Sequence, residues 1–340
     1  MNPKKNKPVI GITIGDINGV SAEVTMKALM DNRILKLVTP VIYAHGKALT
    51  FYRKHLKLED FNFMQIRNIG EIHHKKVNVI NVTEECPEVM PGTETSEAGK
   101  MALAALDHAI SDIKDHNIDA LVTAPLNKNN INSDSLKFVG HTEYLTEAFE
   151  AKASMMFMVS EDMRVGLVSG HVPLSQVIKN VTGNKIKLKL KIMLASLRED
   201  FGIEKPRIAV LGLNPHAGED GLLGKEEIEI IQPAIREFKD KGHLIFGPYP
   251  SDGFFGMMHQ KKFDGVLAMY HDQGLVPFKT LAFDNGVNFT AGLPIVRTSP
   301  DHGTAYNIAG KNLADEGSMR AAIFTAYDIL SKKQPWEDDE

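Results

Sequence analysis

Val9-Ile-Gly-Ile-Thr-Ile-Gly-Asp-Ile-Asn-Gly19 is an apolar run that breaks into turn chemistry. A short run rich in Val and Ile is what a strand buried on both faces looks like. Gly15, Asp16, Asn18 and Gly19 then make a tight turn that lets backbone approach a ligand before a helix begins. The turn is not Gly-x-Gly-x-x-Gly, so the standard dinucleotide fingerprint is absent. Any nicotinamide cofactor must therefore be held by another fold.

Outward from this segment, similar runs recur at Val41–Ala44, Val77–Val82, Ala120–Thr123, Met156–Val159, Val165–Val168, Ile208–Leu213 and Val266–Met269. Helical patterns lie between them, at Ser96–Lys114, Ile186–Asp200, Lys225–Lys239 and Ser318–Leu330. Alternation of this kind predicts a largely parallel α/β/α sandwich. A length of 340 residues exceeds what one hydrophobic core usually serves, which predicts two lobes around a cleft. No repeat or linker marks their border. The expected division is 1–130 with 295–340 as the first lobe and 131–294 as the second, ending in an acidic, frayed tail at Trp336–Glu340.

Hydrophobic residues make up 43% and charged residues 24% of the chain, the composition of a globular protein with a real core. A net charge of -4 without a basic stripe excludes nucleic acid as a partner. The single cysteine, Cys86, excludes an intrachain disulfide and any Cys-based metal site. Lys4, Lys5 and Lys7 precede an apolar run that soon meets Asp16, too short for a signal peptide, and no later run is long enough to span a membrane. A cytoplasmic enzyme is expected.

In parallel sheets ligands bind beyond the carboxyl ends of the strands. Three histidines stand there: His171, His216 and His271 follow the runs that begin at Val165, Ile208 and Val266. Three neutral imidazoles with open positions are a ligand set for a catalytic divalent ion. Each of them also reads as an ordinary loop histidine. Asp272, beside His271, and Asp252, in the Pro250–Gly253 loop, are outer ligands or proton acceptors on one reading and helix caps or turn residues on the other. The small-residue loop Asp301–Lys311 is, by composition, a connection and nothing more.

Asp301–Lys311 is similar to the adenine-nucleotide loop of the isocitrate and isopropylmalate dehydrogenase superfamily, and Gly15–Val20 with Glu23 resembles its first strand-to-helix turn. Thr123-Ala-Pro-Leu-Asn-Lys128, Gly140-His-Thr-Glu143, Ser169-Gly-His-Val-Pro-Leu174, Leu213-Asn-Pro-His-Ala-Gly-Glu219, Tyr270-His-Asp-Gln-Gly-Leu275 and Arg297-Thr-Ser-Pro-Asp-His-Gly-Thr304 resemble, in order, the motifs of the 4-hydroxythreonine-4-phosphate dehydrogenase family. The chain departs from that pattern at Ile17 and Ser21-Ala22, where the family usually carries proline and a Gly-Pro pair.

The resemblance implies a two-lobed, non-Rossmann α/β/α fold with a cleft between the lobes. It implies a homodimer that completes its active site at the subunit interface, with NAD or NADP and one divalent ion (zinc, cobalt or magnesium) per site. His171, His216 and His271 match the metal ligands; His141, Thr142, Lys279, Asn288 and Arg297 match the substrate-binding positions; Asp301, His302, Gly303, Thr304 and Ala305 fall in the cofactor loop. The reaction implied is oxidation and decarboxylation of a phosphorylated hydroxy-amino acid in pyridoxal phosphate biosynthesis, with Asp252, Asp272 or Lys279 as proton acceptor. Competing readings are a dehydrogenase for phosphorylated threonate or erythronate, a metal-dependent hydrolase, and a non-catalytic metabolite sensor.

Overall fold

The computed structural model describes residues 7–132 and 138–333. Lys4, Lys5 and the tail Trp336–Glu340 lie outside the described residues. The chain falls into two compact units, one made of 1–151 with 293–340 and the other of 152–292.

The first unit contains strands β1 (Val9–Thr13), β2 (Thr39–Ala44), β3 (Phe63–Ile66), β4 (Val77–Asn81) and β5 (Ala120–Thr123). Its order is β3-β4-β2-β1-β5, followed by the late strand Val296–Pro300 beside β5, and every one of these pairs is parallel. Register sets Thr13 against Thr123 and Arg297 against Leu121, so the carboxyl ends of these strands share one edge. Ile10, Ile12, Val41, Val79 and Leu121 are buried along the strands. The helix Ser96–Lys114, with the bounds its periodicity predicts, starts at Thr95, whose Oγ1 accepts the Ala98 N–H at 3.3 Å. It buries Met101, Ala105, Leu106 and Ala109, and covering such side chains contributes roughly 1.5–3 kcal/mol for each large one.

The second unit contains β6 (Met155–Val159), β7 (Arg164–Leu167), β8 (Arg207–Leu211), β9 (Leu244–Tyr249), β10 (Gly265–Ala268) and β11 (Val287–Ala291); the strand Val296–Pro300 of the first unit is β12. The order is β11-β6-β7-β10-β8-β9. Here the sheet is mixed: β7, β10, β8 and β9 run parallel, while β6 is antiparallel to both β7 and β11. The four residues between β6 and β7 allow only a hairpin, which forces that reversal. Leu167, Leu211, Ala268, Leu275, Phe254 and Phe278 meet in the core of this unit.

The pattern at Lys225–Lys239 predicts one helix. The structure has a π-helical turn at Glu227–Ile231 leading into a helix at Gln232–Asp240. Pro233 has no N–H to return to the preceding turn, which disfavours a regular α-ladder there.

Candidate active site

In the second unit the register places Ala268 beside Leu167 and Leu267 beside Val210, so β7, β10 and β8 end side by side. His171, His271 and His216 all follow from that edge. The pairing of the first two loops continues past the strands, with Val168 N–H donating to the Ala268 carbonyl at 2.9 Å and Ser169 N–H to the Met269 carbonyl at 3.1 Å. It brings the His171 and His271 rings to 5.4 Å between centroids, tilted by 45°. His271 opens the helix His271–Ala282, and its Nδ1 lies 2.7 Å from Asp272 Oδ1. With Nδ1 as donor to that carboxylate, Nε2 keeps its lone pair for an ion.

His216 sits in an unusual backbone. From His216 to Asp220 every φ is positive, at 54°, 52°, 82°, 43° and 52°. Left-handed geometry costs non-glycine residues roughly 1–2 kcal/mol each, so this turn needs external support. Among the described residues no three His, Cys, Asp or Glu side chains converge as a metal group. The structure thus pairs two of the three histidines and puts the third on the neighbouring strand end. Asp252 is exposed on the short helix Ser251–Gly256, which packs beside the His216 turn. Lys279 is half-buried on the helix that begins with His271, and Asn288 is half-buried in β11 opposite Met158.

In the first unit Arg297 is only 2% exposed, and its Nε and Nη2 donate to Thr123 Oγ1 at 3.1 and 2.5 Å. Burial pulls the guanidinium down to about 9, against an opposing pull from Glu143, and it stays charged at neutral pH. His141 and Thr142 begin the helix His141–Ala148, whose N-terminus favours an anion. Burial, then the charges of Arg297 and Lys128, hold the His141 imidazole well below its ordinary range, so it is neutral. A Cβ on Gly140 would come within 2.8 Å of a Glu143 oxygen and 3.2 Å of Lys128 Nζ, so glycine lets that lysine approach.

The first strand-to-helix turn and the loop after Pro300 meet in this unit. The Val20 N–H donates to the Thr304 carbonyl at 2.9 Å, and a Cβ on Gly19 would lie 2.7 Å from the same oxygen. Asp16, fully buried, accepts from Asn18 N–H at 2.8 Å, Asn130 Nδ2 at 2.7 Å and the Tyr306 hydroxyl at 2.6 Å. Burial and the Asp16 charge raise the Tyr306 hydroxyl, which keeps it a donor. Asp301 N–H donates to Ser318 Oγ at 2.9 Å, the His302 Nδ1 lies 3.0 Å from the Gly303 carbonyl oxygen, and Ala305 takes a φ of 43°. Gly303 faces open space, with nothing within 4 Å of where a Cβ would be. The departures at Ile17 and Ser21 are absorbed: the Ile17 carbonyl accepts from Tyr52 and Ser21 Oγ donates to the Pro125 carbonyl, both at 2.6 Å.

Sequence reasoning passed over Tyr306, Glu227 and Gln273 as individual residues. Their roles lie in long-range hydrogen bonds, and only the unexpected polar residue inside an apolar pattern hints at them.

Residues 36–326 match the family model described as pyridoxal phosphate biosynthetic protein PdxA. The chain belongs to the PdxA family. A PdxA-family relative from Bacteroides thetaiotaomicron, named 4-hydroxythreonine-4-phosphate dehydrogenase, is 48% identical over 332 residues, covering 97% of this chain and 91% of its own. A relative of the same name from Aquifex aeolicus is 41% identical, covering 95% and 98%. Among solved structures, the 4-hydroxythreonine-4-phosphate dehydrogenase of Klebsiella pneumoniae superposes with a TM-score of 0.82 at 34% identity, covering 95% of this chain and 98% of that one. Isocitrate dehydrogenase from Methylococcus capsulatus, at 11% identity and a TM-score of 0.52, shares only the fold with this chain.

Proposed function

We propose that this chain is a nicotinamide-dependent, metal-assisted dehydrogenase that oxidises and decarboxylates 4-hydroxythreonine 4-phosphate. The products are 3-amino-2-oxopropyl phosphate and carbon dioxide, in pyridoxal phosphate biosynthesis. The observation that carries the reading is the 48% identity to a relative of that name over 97% of the chain.

The donor set fits a divalent ion. His171 and His271 are already neighbours, Asp272 orients the His271 ring, and His216 follows the adjacent strand. These three histidines would hold zinc, cobalt or magnesium, and such an ion supplies positive charge that favours loss of the alcohol proton and of carbon dioxide. Arg297, His141 and Thr142 bind the phosphorylated substrate, with Lys279 and Asn288 as further contacts. The buried guanidinium suits a phosphate dianion, and a neutral His141 can donate one hydrogen bond without adding charge.

Asp301, His302, Gly303, Thr304 and Ala305 would hold NAD or NADP, which would supply the acceptor for the hydride of the carbinol carbon, while a protein base takes the hydroxyl proton. The resulting ketone is beta to the carboxylate, so the carbon–carbon bond breaks with its electron pair moving toward the ketone, and a proton completes the product. The proton acceptor is Asp252, Asp272 or Lys279, of which Asp272 also bonds the His271 ring.

The chain acts in the cytoplasm as a homodimer whose active site is completed at the subunit interface. Support for association comes from the second unit, where Leu174, Ile178, Val276 and Phe283 are apolar side chains 59–74% exposed. No described helix is long and apolar enough to cross a membrane.

Product analysis tests the reaction. Carbon dioxide and amino-ketone phosphate should form in step with reduced cofactor. Reduced cofactor without carbon dioxide would make the chain a simple alcohol dehydrogenase, and hydrolysis without either would make it a metal hydrolase.

A further inference from the structure

The strand ends that carry His216 and His271 are tied together by one buried side chain. Gln273, 8% exposed, accepts the Met269 N–H at 2.7 Å and donates through Nε2 to the Gly212 carbonyl at 2.6 Å. Met269 lies just before His271 and Gly212 just before the His216 turn.

A second buried side chain grips that turn from the other side. Glu227, 1% exposed, accepts the N–H groups of Leu213 and Asn214 on Oε1, each at 2.7 Å, and Asn214 Nδ2 on Oε2 at 3.0 Å. The turn is moulded around this carboxylate. A Cβ on Gly218 would lie 2.6 Å from Glu227 Oε2, and one on Gly212 would lie 2.9 Å from Ala217 Cα and 3.2 Å from Glu227 Oε1. Glu227 itself begins the π-helical turn, an irregularity that shifts where its side chain emerges.

A run of left-handed residues persists only where its surroundings over-determine it. In the residues leading into this run three hydrogen bonds fall on the Glu227 carboxylate, and Asn214 Nδ2 also donates to Glu226 Oε2 at 2.7 Å. We propose that Glu227 is a positioning residue that holds the left-handed His216 turn in the conformation presenting its imidazole to the metal ion, with Gln273 tying that strand end to the His271 loop. The inference rests on the metal reading given above.

Cobalt(II) binding to the full chain, followed by its visible absorption, tests it without any turnover. Glu227→Ala should bind cobalt about tenfold more weakly than wild type or worse, with a changed ligand-field spectrum. Glu227→Gln, which keeps the shape and one acceptor oxygen, should recover affinity to within about threefold. Met193→Ala removes a fully buried side chain from the helix Gly183–Glu199 and serves as a destabilised control whose cobalt affinity should not move.

Equal cobalt affinity and spectra in Glu227→Ala and wild type would overturn the proposal, as would a Met193→Ala loss as large as that of Glu227→Ala. Should Glu227→Ala fail to fold, Asn214→Ala decides, with Glu226→Ala as its control. Asn214→Ala removes the side-chain bonds to both Glu227 and Glu226. A weakening of about threefold is expected in it and none in the control. No change in Asn214→Ala, or an equal loss in both, overturns the proposal. Wild-type protein that binds no cobalt would instead overturn the metal reading, and this inference with it.

Discussion

Arg297 donates two hydrogen bonds to the single hydroxyl oxygen of Thr123, at 3.1 and 2.5 Å, across two neighbouring parallel strands. A guanidinium is a rigid planar fork of N–H donors, so this contact fixes its orientation. Arg297→Ala is expected to raise the KM for phosphorylated substrate by roughly tenfold to a hundredfold, the equivalent of about 1.5–3 kcal/mol for a charged hydrogen bond. Thr123→Val should act in the same direction more weakly. Steady-state kinetics checks both, and an unchanged KM in Arg297→Ala would remove this arginine from the site.

His141 carries a pH signature. Its imidazole is depressed in the folded chain, so the unfolded chain takes up a proton first as the pH falls. Stability attributable to this group is therefore fully present above the ordinary histidine value of about 6.5 and is lost below it, down toward the depressed value. His141→Gln should flatten the fall in Tm on the acid side of neutrality. An identical Tm-against-pH curve for variant and wild type would show that His141 protonates as freely as an exposed histidine.

Two glycines separate packing from cofactor approach. Gly15 has a φ of +64°, and a Cβ there would fall 2.1 Å from the Pro125 carbonyl oxygen. Gly15→Ala should destabilise by about 2–4 kcal/mol, combining overpacking with left-handed strain. Gly303→Ala meets nothing in the protein and should leave Tm unchanged while raising the KM for the nicotinamide cofactor. A Gly303→Ala enzyme with wild-type cofactor kinetics would take this position out of the cofactor loop.

Much of this architecture is legible in the residues. Strands β1, β2, β4, β5, β7, β8 and β10 announce themselves as Val- and Ile-rich runs because both of their faces are covered. β3 and β9 do not, since Phe63–Ile66 and Leu244–Tyr249 are largely half-exposed and their sequences lack a continuous apolar run. The edge that bears His171, His216 and His271 follows from strand register and could be anticipated. The left-handed backbone at His216 could not: Pro-His-Ala-Gly-Glu-Asp-Gly reads as an ordinary turn, and the carboxylate that takes the Leu213 and Asn214 N–H groups just before it, Glu227, comes from a helix beyond it.

Metal dependence has a direct check. Chelation should abolish cofactor reduction, and adding back zinc, cobalt or another imidazole-accepting ion should restore it, since sites completed by substrate oxygens accept several ions. His216→Ala should weaken ion binding with the fold intact by circular dichroism. Full activity in protein shown to be metal-free would remove the ion from the reaction.

The central claim concerns the substrate. The decisive measurement is NADH absorbance on adding 4-hydroxythreonine 4-phosphate, its unphosphorylated parent, 4-phosphothreonate or 4-phosphoerythronate to the metal-loaded chain with NAD. The account predicts the highest kcat/KM for 4-hydroxythreonine 4-phosphate and a large loss without the phosphate. A higher kcat/KM for phosphothreonate or phosphoerythronate, or no NADH from 4-hydroxythreonine 4-phosphate, would contradict it.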